Sequence, residues 1–190
     1  MKRILALAVL AVLAFGVSAS AQHYNNNRFG IVGGLTSSST DIGDISTKTI
    51  SKYHLGIAGE FPLGGGFALQ PGAVFQVKGI SLDRFDDASG KEIAESFETK
   101  VGYIEIPVQI QWGPDLMLFR PYGFLEPFAG YRLKEWGNAP VKVEDEFTEI
   151  EYGLGVGVGL ELGIFQVSAK YFHHFASDIK GLCFSAAIFF

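Results

Sequence analysis

From Glu149 to Leu162 the chain alternates without a break between two kinds of side chain. The even positions, Ile150, Tyr152, Leu154, Val156, Val158, Leu160 and Leu162, are all apolar. The odd ones, Glu149, Glu151, Gly153, Gly155, Gly157, Gly159 and Glu161, are all glycine or carboxylate. A period of two belongs to a β-strand, whose successive side chains point to opposite faces. One face of this strand therefore meets an apolar phase and the other does not. Slipping the register by one residue would carry Glu151 and Glu161 to the apolar side. In lipid that costs up to about 2–4 kcal/mol for a charge near the midplane, and less toward the interfaces.

The same parity recurs along the chain. Ile104, Ile106, Val108, Ile110 and Trp112 oppose Tyr103, Glu105, Pro107, Gln109 and Gln111. Phe165, Val167, Ala169, Tyr171 and Phe175 oppose Gln166, Ser168 and Lys170; Tyr53, Leu55, Ile57 and Phe61 oppose His54, Ala58 and Glu60. Eight strands are expected, over 28–36, 52–62, 67–78, 100–112, 120–134, 149–162, 165–175 and 181–190. The segment 120–134 turns Leu125, Ala129, Tyr131 and Leu133 outward and Glu126 and Arg132 inward. Pro127 lacks a ladder donor, so a bulge or bend is expected there. In the last strand Leu182, Phe184, Ala186, Ile188 and Phe190 share the apolar face. Phe184, Ile188 and Phe190 are the expected C-terminal signal for barrel assembly.

Mean hydropathy is positive, yet no segment after the N-terminal region approaches the roughly 18–20 consecutive apolar residues of a membrane helix. A chain in lipid must then cross as strands, and strands without water to bond their backbones must close into a barrel. The intervals 63–66, 113–119 and 163–164 are tight, whereas 37–51, 79–99, 135–148 and 176–180 are polar connections. Outer-membrane barrels show this contrast between periplasmic turns and external loops. A water-soluble ligand-binding barrel would put its apolar residues inside and its charges outside. Few charges per strand, set among glycine and polar residues on one face, favour the membrane form. The expected fold is all-β: an eight-stranded antiparallel up-and-down transmembrane barrel, preceded by a cleaved signal peptide.

That signal peptide is read in residues 1–21. Lys2 and Arg3 are followed by an apolar stretch and by the small-residue site Ala19-Ser20-Ala21, so the barrel domain is expected to occupy 22–190. Loss of Lys2 and Arg3 takes the formal charge from −5 to −7, which argues against nucleic acid as a partner. The single cysteine, Cys183, forms no internal disulfide. The expected location is the bacterial outer membrane. Its lipid and the barrel-assembly machinery are the expected partners, with other envelope proteins reached through the external loops.

Phe29-Gly-Ile-Val-Gly-Gly-Leu-Thr36, Tyr53 to Gly79 with Leu63-Gly-Gly-Gly66 at its turn, Tyr103-Ile-Glu-Ile-Pro-Val-Gln-Ile110, Arg120-Pro-Tyr-Gly-Phe124 and the glycine-rich stretch 153–163 share a pattern. It resembles the PorT-like outer-membrane β-barrel family of Bacteroidota over essentially the whole mature length. The aromatic residue followed by Glu-Ile-Pro is the most recognisable motif. The stretch Tyr171-Phe-His-His-Phe-Ala-Ser-Asp178 departs from the Gly-Leu pair expected before the last loop. The resemblance implies an outer-membrane barrel. Some relatives are linked to protein secretion and gliding machinery, while most have no assigned activity.

Parity turns Glu60, Glu105, Glu126, Glu151 and Glu161, with Lys78, Arg132 and Lys170, toward the inside. Buried charges must be paired or solvated, so a salt-bridge network filling the lumen is expected. An ion path or a paired-carboxylate active site would need particular separations and a water route. Gly153 to Gly159 fail the dinucleotide fingerprint and are read as space for bulky lumen residues. His173 and His174 point to opposite faces, which speaks against one shared metal ion and for a place in an aromatic girdle. His174, Ser177 and Asp178 raise the idea of a lipid-modifying hydrolase, whose nucleophile would need a base within hydrogen-bond reach. The overall expectation is a non-enzymatic structural or envelope-interaction protein with no cofactor or metal. A narrow pore is the first alternative and a lipid-modifying enzyme the second.

Overall fold

Strand alternation fixes which edge pairs with which, because each apolar face must stay on one side of the sheet. The computed structural model describes residues 26–39, 41–42, 45–46, 50–82, 97–137, 150–176 and 179–190. Eight strands carry the fold: β1 (Arg28–Ser39), β2 (Ile50–Gly64), β3 (Phe67–Leu82), β4 (Phe97–Trp112), β5 (Arg120–Gly137), β6 (Ile150–Leu162), β7 (Phe165–His174) and β8 (Lys180–Phe189). Each pairs antiparallel with its sequence neighbours, and β1 closes against β8 to complete the barrel. Within the first external connection, Asp41–Ile42 pairs with Ile45–Ser46 as a separate two-stranded ribbon. The expected signal segment lies outside the described residues.

The outer wall is apolar and the inner one polar. Val158 is 66% exposed and Ile106 59%, whereas Glu151 and Glu60 are 0% exposed and Glu161 5%. Hydrocarbon outside and ionised groups inside is the membrane-barrel arrangement. Phe29 and Phe61 meet edge to face at 5.8 Å, near Phe67 and Trp112 at the same end. At the opposite end Tyr152 and His173 pack on Phe175. The two aromatic belts mark the two membrane surfaces.

The short turns lie at the end that holds both termini of the barrel. Gly65 (φ 62°) and Gly66 (φ 83°) form the β2–β3 turn in the left-handed region, which glycine enters without a Cβ penalty. The β4–β5 connection occupies the expected interval, 113–119, and its tip Leu116-Met117-Leu118-Phe119 is exposed.

Two expectations are corrected. The register runs through Pro127 without a shift: Ile106 and Ile110 on β4 keep the same offset to Ala129 and Leu125, and Pro127 faces Leu154 on β6. Proline here costs a ladder bond but inserts no residue. The irregularity lies at Gly102/Tyr103, which face Lys134 and Arg132 and leave Leu133 as the extra residue. Strands β1 to β5 are also longer than parity alone suggested. β3 and β4 remain paired up to Leu82 and Phe97, so only the middle of segment 79–99 is left to connect them. A tilted strand crosses a bilayer in about 9–11 residues, whereas β3, β4 and β5 have 16, 16 and 18. One side of the barrel therefore stands above the membrane on the external side.

Candidate functional site

The lumen is filled in three levels. At the inner end all eight strands contribute one side chain to a single layer: Arg28, Glu60, Gln70, Gln111, Arg120, Glu161, Gln166 and Phe189, all buried. Arg28 and Glu60 are direct cross-strand partners on β1 and β2, and Arg120 and Glu161 are partners on β5 and β6. Arg28 donates to Glu60 at 2.7 Å, to the Gly163 carbonyl at 2.8 Å and to Glu161. Arg120 donates to Gln111 at 3.0 Å, to Glu161 at 3.4 Å and to the Gly66 carbonyl at 3.1 Å, and has Glu60 at 3.7 Å. Gln70 accepts from Gln111 at 2.7 Å and from Gln166 at 3.1 Å. Each guanidinium also lies over an aromatic ring, Arg28 on Phe189 and Arg120 on Tyr122. Planar five-donor arginine suits this geometry, since it satisfies two carboxylates and a carbonyl at once.

In the middle, Lys170 pairs with Glu126, which also accepts from Gln109 at 2.7 Å. Beside them is a cavity of about 40 Å³ whose wall includes His54, Gln76, Glu105, Lys170, Cys183 and Ser185. His54 links Thr36 at 3.2 Å to Ser185 at 3.0 Å. Cys183 Sγ lies 3.7 Å from the His54 ring and is buried. The glycines of β6 make room for this packing, as read from the sequence. A Cβ on Gly153 would strike the Phe128 ring, one on Gly157 the Phe124 ring and one on Gly159 the Tyr122 ring.

Toward the outer end, Glu105 on β4, Glu151 on β6 and His174 on β7 converge. His174 Nδ1 is 2.9 Å from Glu151 Oε2. The donor atoms of all three residues lie within 4.8 Å of one another. Phe128 and Phe172 pack on the His174 ring, within a buried apolar cluster that also contains Tyr103, Ile179 and Cys183. His174 is thus a lumen residue rather than part of a girdle, which corrects the expectation. It shares the parity of Gln166, Ser168 and Lys170, and only His173 faces outward. Ser177 and Asp178 lie outside the described residues.

Of the charges expected inside, Glu60, Glu105, Glu126, Glu151 and Glu161 are buried and Lys170 is largely so; Arg132 is half-buried. The side chain of Lys78 lies outside the described residues. Glu60 and Glu161 share one cluster, Glu126 and Lys170 a second, and Glu105 and Glu151 a third. Arg28 and Arg120 were not among the expected lumen charges. Both are first residues of strands, and the parity of Gly30 to Thr36 and of Tyr122 to Glu126, extended by one step, assigns them inward. Phe184, Ile188 and Phe190 lie on the outer wall, 55%, 41% and 75% exposed.

Among solved structures, the barrel is similar to the attachment invasion locus protein Ail of Yersinia pestis, crystallised with the heparin analogue sucrose octasulfate. The two share 14% identity and a TM-score of 0.47, covering 86% of this chain and 98% of that one. It is also similar to the outer membrane protein OprG of Pseudomonas aeruginosa, at 14% identity and a TM-score of 0.49, covering 87% of this chain and 94% of that one. No curated protein sequence matches the chain. The family model described as "Outer membrane protein beta-barrel domain" matches residues 13–177. With a lipid-facing wall, a charged lumen and a closed eight-stranded sheet, the chain belongs to this family of outer-membrane β-barrels.

Proposed function

We propose that this barrel is a non-enzymatic component of the bacterial envelope that acts through its external side, on a lumen closed to solutes. The observation that carries the reading is the raised wall formed by β3, β4 and β5. Backbone pairing there continues well past the height a membrane needs, as far as Leu82 with Phe97 and Thr99 with Gly137. A rigid edge standing in the external medium is a platform on which loops carry recognition. The layer of Arg28, Glu60, Arg120 and Glu161 supports closure, because it links β1 and β2 on one side to β5 and β6 on the other across the inner mouth.

The finer relationships are part of this proposal. The chain is a PorT-like barrel of Bacteroidota, exported by the segment 1–21 and inserted by assembly machinery that reads Phe184, Ile188 and Phe190. The inward, carboxylate-held position of His174 argues against its serving a lipid hydrolase at the rim.

Photo-crosslinking in intact envelopes tests the reading. Probes at Gly79 or Lys100, cross-strand partners on the raised wall, are expected to give discrete protein adducts that a probe at Ile106 on the lipid face does not. Equal labelling at all three positions, or regular conductance steps from the purified protein in planar bilayers, would overturn it.

A further inference from the structure

We propose that Glu105, Glu151 and His174 constitute a binding site for one divalent transition-metal ion of the zinc type, near the outer end of the lumen. Three strands that are distant in sequence, β4, β6 and β7, each contribute one ligand-bearing side chain. Their exposures are 5%, 0% and 1%, so the cluster is built into the interior. The 2.9 Å between His174 Nδ1 and Glu151 Oε2 matches the edge between adjacent ligands of one ion. Metal–ligand bonds of about 2.0–2.2 Å give edges of about 2.8–3.1 Å at right angles, and a shift of about half an ångström reaches the roughly 3.3–3.6 Å of a tetrahedral site. The 4.8 Å limit on the remaining donor separations leaves Glu105 a short rotation from completing the triangle.

The surroundings supply what a bound ion requires. The His174 ring is held edge to face by Phe128 at 4.7 Å and by Phe172 at 5.3 Å, which fixes the direction of its lone pair. Glu105 also lines the neighbouring cavity of about 40 Å³, which has room for about two or three waters on that ligand's side of the cluster. One imidazole with two carboxylates suits a borderline ion. Calcium and magnesium prefer oxygen alone, and copper(I) prefers sulfur. In the absence of metal one proton joins His174 Nδ1 to Glu151 Oε2, and an ion bound at both atoms displaces it.

The test uses the untagged full chain, refolded in detergent, with the folded form checked by its heat-dependent gel mobility. After dialysis against zinc chloride and removal of excess, the wild type should retain one zinc per chain. Glu105→Gln and His174→Gln should each weaken zinc binding by about tenfold or more, the scale on which even outer-shell losses are felt. Zinc-edge anomalous scattering from wild-type crystals should place the ion among the three side chains, independently of whether the variants fold. No retained zinc, retention unchanged in both folded variants, or an ion at His23, His54 or His173 instead would overturn the proposal.

Discussion

Arg28 and Glu161, 133 positions apart in sequence, form a buried ion pair across the inner end of the lumen. Neither is a cross-strand neighbour of the other: β1 and β6 are separated by β7 and β8 on the shorter way round. The pair exists because the sheet is closed. It shares both of its charges with Glu60 and Arg120, so the four residues behave as one unit rather than as two independent bridges.

Removing one member should therefore be costly. Arg28→Ala leaves two buried carboxylates with Arg120 alone, and breaking a buried pair typically costs about 3–5 kcal/mol. Urea unfolding in phospholipid vesicles should show a loss of that order. A double-mutant cycle with Glu161→Gln should be strongly non-additive. Additive losses would mean that the pair is not coupled.

Glycine on the inner face of β6 is required by its neighbours. Gly153→Ala drives a methyl against the Phe128 ring and the His173 carbonyl, and overpacking of this kind costs about 1–3 kcal/mol. Gly123→Ala on β5 meets only the Gly157 carbonyl, at 3.9 Å, and should change stability much less. The same unfolding measurement on both variants decides the matter; equal losses would contradict the packing.

Val156 occupies the middle of β6 on the outer wall and is 54% exposed. Val156→Arg should destabilise the membrane-inserted barrel by about 2–4 kcal/mol. Insertion into vesicles should fail or slow, whereas the variant should remain soluble in urea. A neutral result would show that this face does not meet hydrocarbon.

Cys183 is 4% exposed and packed against His54 and Thr36. A maleimide added to the folded barrel should label it slowly, and labelling should follow the heat-unfolded fraction on gels. Rapid labelling of the folded form would mean that the lumen is open to small solutes at that depth.

Much of this architecture can be read along single strands. Parity alone assigns Glu105, Glu126, Glu151 and Glu161 to the inside and Ile106, Leu154 and Val156 to the outside, because a period of two admits only two answers. Parity also contains the inward placement of His174, but a histidine flanked by Phe172, His173 and Phe175 looks interfacial until its phase is compared with Lys170. What a strand does not carry is its height relative to the others. Whether Glu161 meets Arg28 or Lys170 depends on tilt and stagger around the whole closed sheet. The extra residue at Leu133 depends likewise on how β4 and β5 settle against each other, and Pro127, the more conspicuous candidate, leaves the register intact.

The arrangement of the inner layer bears on how such a sheet can be built. Arg28 faces Glu60 within the first hairpin and Arg120 faces Glu161 within the third. Each hairpin can therefore neutralise itself before the first and last strands meet. Closing the sheet brings these two pairs head to tail and adds the Arg28–Glu161 and Arg120–Glu60 contacts. Each arginine then stands between two carboxylates, an alternating ring that only the closed barrel completes.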